Sequence, residues 1–480
     1  MGFTEALASY FDVEAHGSDV RTELLAGLTT FLTMSYIVVL NPAILTDFPD
    51  DNIPGGIAIQ GYSATEVYQM IAVVTILASI VAVLVMAFYA NLPFGLAPGL
   101  GLNAFFAITV IGVLGVPWQT ALAAVVTEGV LFVVLTAVGA REYVIKLFPE
   151  PVKLGVGSGI GLFLAIIGLQ AMGIVVDDPA TLVSLGSVAS NPVAILSVLG
   201  LFLTLALYAA GIRGSIIVGI VVTTVAGALA TLAGLVEPGT LAIDAVQAGG
   251  VDAAKLPGAT YDITPLVGAF LAGFDNFEPF AFALIVFTFF FVDFFDTAGT
   301  LVGVGQAGGF LDEEGDFPDI DEPLMADAVG TTVGGMLGTS TVTTYIESAT
   351  GVEEGGRTGL TALTVAGLFV LSLAFVPLAA AIPLYASHIA LVVVAVLLLR
   401  NVTDIDWDDF THAAPAGLTI LVMPLTYSIA YGIAAGIVSY PIVKAGAGEA
   451  DEVRLGQWAL AGAFVLYFFV RTSGVLTGQL

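Results

Sequence analysis

The sequence predicts an all-α polytopic membrane protein, and three observations predict it. Of its 480 residues, 58% are hydrophobic and 11% charged, and the mean hydropathy is +1.01, far above that of ordinary soluble domains. Uncharged apolar runs long enough to cross a bilayer, which takes about 20 residues, recur from Leu24 to Val470. The charges are gathered between those runs. A soluble core inside a polar shell cannot be built from such a chain.

Apolar runs, read against Gly, Pro and charge, place spans near 24–46, 67–90, 99–114, 117–140, 152–174, 193–211 and 214–235. A polar stretch, 236–276, separates them from a second set near 280–304, 324–338, 345–354, 358–379, 383–400, 412–427 and 429–446. This makes 14 transmembrane segments in two sets of seven. Seven is odd, so halves that are repeats must enter the membrane in opposite orientations, the inverted-repeat plan of many secondary transporters. The third span of each half is short and follows an extended-looking stretch, Leu92 to Pro98 or Thr339 to Thr344. Prolines and β-branched residues disfavour helix there. Tight turns join the sixth and seventh spans of each half, at Ile212-Arg213-Gly214 and around Pro424 to Tyr427. The segment Leu455 to Val470 can cross as a further span or lie along the interface.

The formal charge is −29, from 40 acidic and 11 basic residues. The acids cluster in the tail before Arg21 and in loops 47–51, 311–322 and 404–409, a haloarchaeal-type acidic surface suited to high salt. The tail has no basic flank or short apolar core, so no cleavable signal is expected and the first span serves as the insertion signal, with the N-terminus cytoplasmic. Arg21, Arg141, Lys146, Lys153, Arg213, Arg357, Arg400, Lys444 and Arg454 then fall inside, and only Lys255 outside, as the positive-inside rule requires. There is no Cys, and His16, His388 and His412 are scattered. No disulfide framework, metal cluster or cofactor is expected.

Extended backbone cannot face lipid, because each unpaired N–H or C=O there costs several kcal/mol. The two extended stretches are therefore expected to pair with each other as short antiparallel strands preceding the third and tenth half-helices. Those half-helices, starting near Gly99 and Tyr345, aim free N–H donors and positive dipole ends at one cavity. Asp293 and Asp296 are three residues apart, on one helix face. Glu347 stands at the start of the second half-helix, and Asn103 lies one turn inside the first. An intramembrane carboxylate is a functional candidate by default. Glu128, without a counterpart in a broken-helix region, reads as structural. Gln170 and Gln306 read as interhelical hydrogen-bond partners, and Asp312 to Glu322 as a solvated face. Gly155 to Gly161 reads as close helix packing rather than a phosphate cradle, because no Lys adjoins it.

Motifs run over nearly the whole chain: Glu23 to Tyr36 with Asn41-Pro42, Ala97 to Phe106, Gly159 to Gln170, Asp293 to Leu301, Thr343 to Ser348 with Gly355 to Gly359, and Met423 to Ile429. In them the sequence resembles the AzgA-like purine permeases of the nucleobase-ascorbate transporter (nucleobase:cation symporter-2) superfamily. A departure is Ala171-Met172 after Gln170, where many relatives have Asn. The resemblance implies a core domain in two parts, 22–145 (spans 1–4) and 277–380 (spans 8–11), and a gate domain, 146–235 (spans 5–7) and 381–450 (spans 12–14). The acidic cytoplasmic tail 1–21, an extracellular inter-repeat loop 236–276 and an apolar C-terminal segment 451–480 complete the division. It also implies a homodimer, in the cell membrane, that takes up hypoxanthine, guanine or adenine with protons by alternating access. Purine contact is carried onto Asn103, Asp293 and Glu347, with Asp296 a nearby determinant.

A purine is planar and nearly neutral, with N–H donors along its edge, and a carboxylate accepts from adjacent donors through strong charge-assisted hydrogen bonds. A carboxyl removed from water can exchange a proton near neutrality. Glu347 and Asp293 are expected to hold the base, Phe94 or Phe294 to stack on it, and Thr344 to lie beside it. One of Asp293, Asp296 and Glu347 carries the coupling proton, with sodium the less favoured ion. An intramembrane aspartyl enzyme is disfavoured, because a pair on one helix cannot flank a scissile bond from separate elements. An anion carrier or channel of the same broken-helix plan is disfavoured by the acids lining its site.

Overall fold

The computed structural model describes residues 3–49, 55–139, 148–275, 277–311 and 317–472. Arg141, Lys146 and the acids at 50–51 and 312–316 lie outside the described residues.

After a short helix α1 (Phe3–Tyr10), the first span consists of α2 (Val20–Met34) and α3 (Ile37–Leu45), broken at Ser35-Tyr36. Asp19 starts α2 by accepting from the N–H groups of Arg21 and Thr22, which satisfies donors a helix start leaves free. A Ser63–Glu66 capping box starts α4 (Ala64–Val85). That helix continues as a π-turn, Met86–Ala90, and stops at left-handed Asn91. Strand β1 (Leu96–Pro98) leads into α5 (Leu100–Ala104), extended by a π-helical segment, Phe105–Val113. Helix α6 (Trp118–Ala137) and α7 (Glu150–Ala171) follow, then a hairpin of β2 (Val175–Asp178) and β3 (Leu182–Leu185). Next come α8 (Pro192–Ala209), α9 (Ser215–Leu232) and a second small hairpin, β4 (Val246–Gln247) with β5 (Gly250–Val251).

A second strand followed by a short helix comes later in the chain. Helix α10 (Pro279–Gly308) and α11 (Asp321–Leu337) precede β6 (Val342–Thr344), which leads into α12 (Ser348–Glu353). Helices α13 (Gly359–Ser372), α14 (Val376–Ala379), α15 (Leu384–Ser387), α16 (Ile389–Leu398), α17 (Phe410–Thr426), α18 (Ile429–Ala447) and α19 (Leu455–Thr472) complete the chain.

Ten helices among the described residues are long and apolar enough to cross a membrane, and Leu100–Val113, Phe410–Thr426 and Leu455–Leu466 are shorter apolar helices. The expected polytopic helical architecture is therefore present. So is the strand pair: β1 and β6 are antiparallel, with Leu96 opposite Thr344, Ala97 opposite Thr343 and Pro98 opposite Val342. The ladder is longer than the strands. Gly99 N–H donates to the Thr341 carbonyl at 3.0 Å, and Tyr345 N–H to the Gly95 carbonyl at 3.0 Å. That last bond holds Tyr345 extended, so the second half-helix begins at Ser348, three residues later than expected. The β2–β3 and β4–β5 hairpins lie in connections between apolar helices.

The chain packs as two compact units, Met1–Ala137 with Ile167–Val393 and Val138–Ile166 with Val394–Leu480. In the first, small residues bring α6 and α11 together: a Cβ on Gly129 would lie 2.7 Å from the Thr332 nitrogen, and one on Gly335 would lie 2.8 Å from Val126. In the second, the run from Gly155 to Gly161 packs closely, as expected. A Cβ on Gly155 would stand 3.0 Å from the Ala416 carbonyl, and one on Gly161 3.0 Å from that of Ala395.

Candidate substrate site and the acids behind it

The β1–β6 ladder organises the site. Below about one hydrogen bond per backbone group, extended chain inside an apolar bundle is unstable, and here side chains complete the pairing. Thr331 on α11 both donates to the Val342 carbonyl (2.8 Å) and accepts from its N–H (3.1 Å). The Ser348 hydroxyl accepts from Gly95 N–H at 3.0 Å, and the Tyr345 hydroxyl donates to the Pro98 carbonyl at 2.6 Å.

Glu347 sits at the N-terminus of α12, half-buried beside exposed Ile346. The Tyr36 hydroxyl, from the break between α2 and α3, donates to its carboxylate at 2.6 Å. Asp296 on α10 is half-buried too. It faces Glu347 electrostatically and bonds the Thr343 hydroxyl. Glu347 and Asp296 are thus two half-buried acids, on α12 and α10, close enough to act on each other electrostatically.

Asp293, one turn earlier on α10, points elsewhere. It is 0% exposed and within hydrogen-bonding reach of Glu128 on α6 and Asp327 on α11. Glu128 and Asp327 are also 0% exposed. No carboxyl oxygen of Glu128 or Asp293 has an N–H or O–H partner, and beside Asp327 the hydroxyl within reach is that of Thr297. Three acids without a cation therefore meet where α6, α10 and α11 converge.

The other expected contacts have partners of their own or none. Asn103 is fully buried, accepts from the Ser340 hydroxyl and reaches the Pro98 carbonyl at 3.5 Å. It marks the opposite end of the ladder. The Phe94 ring is buried against Phe310 and Phe317, at centroid distances of 5.8 and 6.1 Å. Phe294 packs on Phe132 of α6 at 5.7 Å. Thr343 and Thr344 project from opposite faces of β6, as alternation requires. The Thr343 hydroxyl bonds that of Thr297 at 2.6 Å, whereas the buried Thr344 hydroxyl has no partner.

Sequence reasoning leaves Tyr36, Asp327, Thr297 and Thr343 without a role and reads Glu128 as structural. The acids carried a usable signal, since Asp327, like Glu128, is a single carboxyl inside an apolar span. Tyr36 lies in the quoted Glu23 to Tyr36 motif, but a tyrosine among apolar residues reads as packing.

A strand pair crossing between two half-helices, inside a bundle of apolar helices and lined by acids, defines a broken-helix membrane transporter. Residues 21–435 match the sequence profile of the Permease family, Xan_ur_permease, and the chain belongs to that family. It is a permease, not an enzyme. It is 37% identical over 462 residues to the adenine permease AdeQ of Escherichia coli, covering 96% of this chain and 95% of AdeQ. It is 37% identical over 463 residues to the guanine/hypoxanthine permease PbuG of Bacillus subtilis, covering 96% of this chain and 99% of PbuG. Among solved structures it is similar in fold to the transmembrane domain of a cyanobacterial bicarbonate transporter, BicA, with a TM-score of 0.58 at 16% identity. That likeness covers 87% of this chain and 97% of the BicA domain.

Proposed function

We propose that this permease takes up purine nucleobases with protons, by alternating access across the cell membrane, with its N-terminus in the cytoplasm. The observation that carries the reading is the electrostatic proximity of half-buried Glu347 and Asp296 beside the ladder, with Tyr36 aiming Glu347; in this reading the two share one substrate opening. Two carboxyl groups facing each other accept from two donors on the edge of a flat, neutral base, and they repel an anion. The names of the relatives, permeases for adenine and for guanine/hypoxanthine, point to the same substrate class.

In this reading Glu347 and Asp296 hold the purine edge, and the free Thr344 hydroxyl supplies a further polar contact. Asn103 fixes the far end of the ladder through Ser340. Phe94 and Phe294 pack the walls behind the site, and Asp293 serves the proton. Fourteen spans in two inverted sets of seven divide into the core and gate parts given above, and the gate rocks against the core in a homodimer.

The test is uptake of labelled hypoxanthine, guanine and adenine into proteoliposomes, with an imposed pH gradient and with or without an uncoupler. Uptake that is driven by the gradient, abolished by uncoupler and lost in Glu347→Gln supports the reading. Gradient-driven uptake that survives Glu347→Gln removes Glu347 from it.

A further inference from the structure

Proton coupling requires a place where a proton is kept away from water while the substrate site opens and closes. Asp293, Glu128 and Asp327 have the geometry of one. All three are fully buried, and Asp293 lies between the other two, within hydrogen-bonding reach of each. A carboxylate only accepts, so a carboxyl-to-carboxyl hydrogen bond exists only when one partner carries a hydrogen. Apart from the Thr297 hydroxyl beside Asp327, these oxygens have no other donor, which leaves protons to supply it. Among the described residues no Lys, Arg or His is paired with the three, and the acid facing them from the same helix is Asp296. No group of three or more His, Asp or Glu among the described residues is arranged to hold a metal ion.

The cluster is joined to the substrate opening by hydroxyls. Thr297 lies within hydrogen-bonding reach of Asp327 and bonds Thr343 at 2.6 Å. Thr343 in turn bonds Asp296, which faces Glu347.

We propose that Glu128, Asp293 and Asp327 form a sealed proton store, which exchanges with the substrate opening through the relay Asp327, Thr297, Thr343 and Asp296. In one transfer Asp327 gives its hydrogen to Thr297, Thr297 gives its own to Thr343, and Thr343 gives its own to Asp296. The hydroxyls end unchanged, the store has lost one proton and Asp296 has gained one. The store rests on the proton-coupled reading above.

The experiment uses the full-length protein in proteoliposomes loaded with a pH-sensitive dye, with labelled hypoxanthine and adenine as probes. In Glu128→Gln and Asp327→Asn, exchange between equal purine concentrations is expected to stay within about twofold of wild type, while accumulation driven by a pH gradient falls by about tenfold or more. Thr297→Val keeps every charge and is expected to slow purine-dependent proton uptake while sparing exchange; it decides the matter should the acid variants fail to fold. Gradient-driven accumulation that survives both acid variants overturns the store alone. So does loss of exchange in parallel with coupling in monodisperse protein, which marks the acids as structural. Wild-type protein that exchanges purine but moves no proton, or is driven by sodium instead, overturns the coupled reading and the store with it.

Discussion

The Tyr36 hydroxyl donates to a carboxylate oxygen of Glu347 across 2.6 Å, tying the break in the first span to the half-helix of the second half. A hydrogen bond to a charged group contributes about 1.5–3 kcal/mol, and here it fixes where the carboxylate points. Tyr36→Phe keeps the ring and removes the donor. Purine affinity of the purified protein, followed by titration calorimetry with hypoxanthine, should fall by about tenfold or more. An unchanged Kd would show that Glu347 is aimed by something else.

Glu23 is buried at the start of α2 and collects donors from the start of α13. Its carboxylate accepts from the N–H groups of Arg357 (3.0 Å), Thr358 (3.3 Å) and Thr361 (3.2 Å), and from the Thr361 hydroxyl at 2.6 Å. Removing it strands buried donors at about 1–3 kcal/mol for each one left unpaired. Glu23→Ala should lower the thermal midpoint in detergent by several degrees, with Glu23→Gln in between. Equal midpoints for all three proteins would contradict this.

Asn103 and Ser340 satisfy each other in a site closed to water. Either single truncation leaves a buried polar group unpaired, whereas the double truncation leaves neither. Ser340→Ala and Asn103→Ala should each destabilise by about 1–3 kcal/mol, and the double variant by less than their sum. Strict additivity in a double-mutant cycle would show that the two act independently.

Arg213, in the turn between α8 and α9, pairs with Glu354 just after α12, and both side chains are partly exposed. Such pairs contribute about 0–1 kcal/mol, too little to matter for folding. In the proposed division, however, Arg213 belongs to the gate and Glu354 to the core, so the pair holds one conformation. Arg213→Glu should change the uptake rate with little effect on Tm, and Arg213→Glu combined with Glu354→Arg should restore it. Rates that fail to recover in the swapped protein would argue against a latch.

The ladder was legible because the backbone rule left little choice: prolines in Leu92 to Pro98 and β-branched residues in Thr339 to Thr344 exclude helix, and lipid excludes unpaired strand. The nearness of Asp293 to Asp296 was legible from their spacing. Their divergence was not. Which neighbour each acid meets depends on how α10 is rotated against α6 and α11, and on how those two approach each other at Gly129 and Gly335, which no single segment reveals. Asp327 and Glu128 acquire meaning only with Asp293 between them. The break at Ser35-Tyr36 carries neither Gly nor Pro, so nothing local marks it.

Among the described residues, Leu96 to Pro98 find their strand partners in Thr344 to Val342, more than 240 residues later in the chain. During synthesis the first half must therefore wait with this stretch unpaired until the second half has been inserted. An interruption of assembly between α6 and β6 exposes that stretch. The residues left unpaired in a truncated or slowly inserted chain are then the same ones that later frame the proposed transport site.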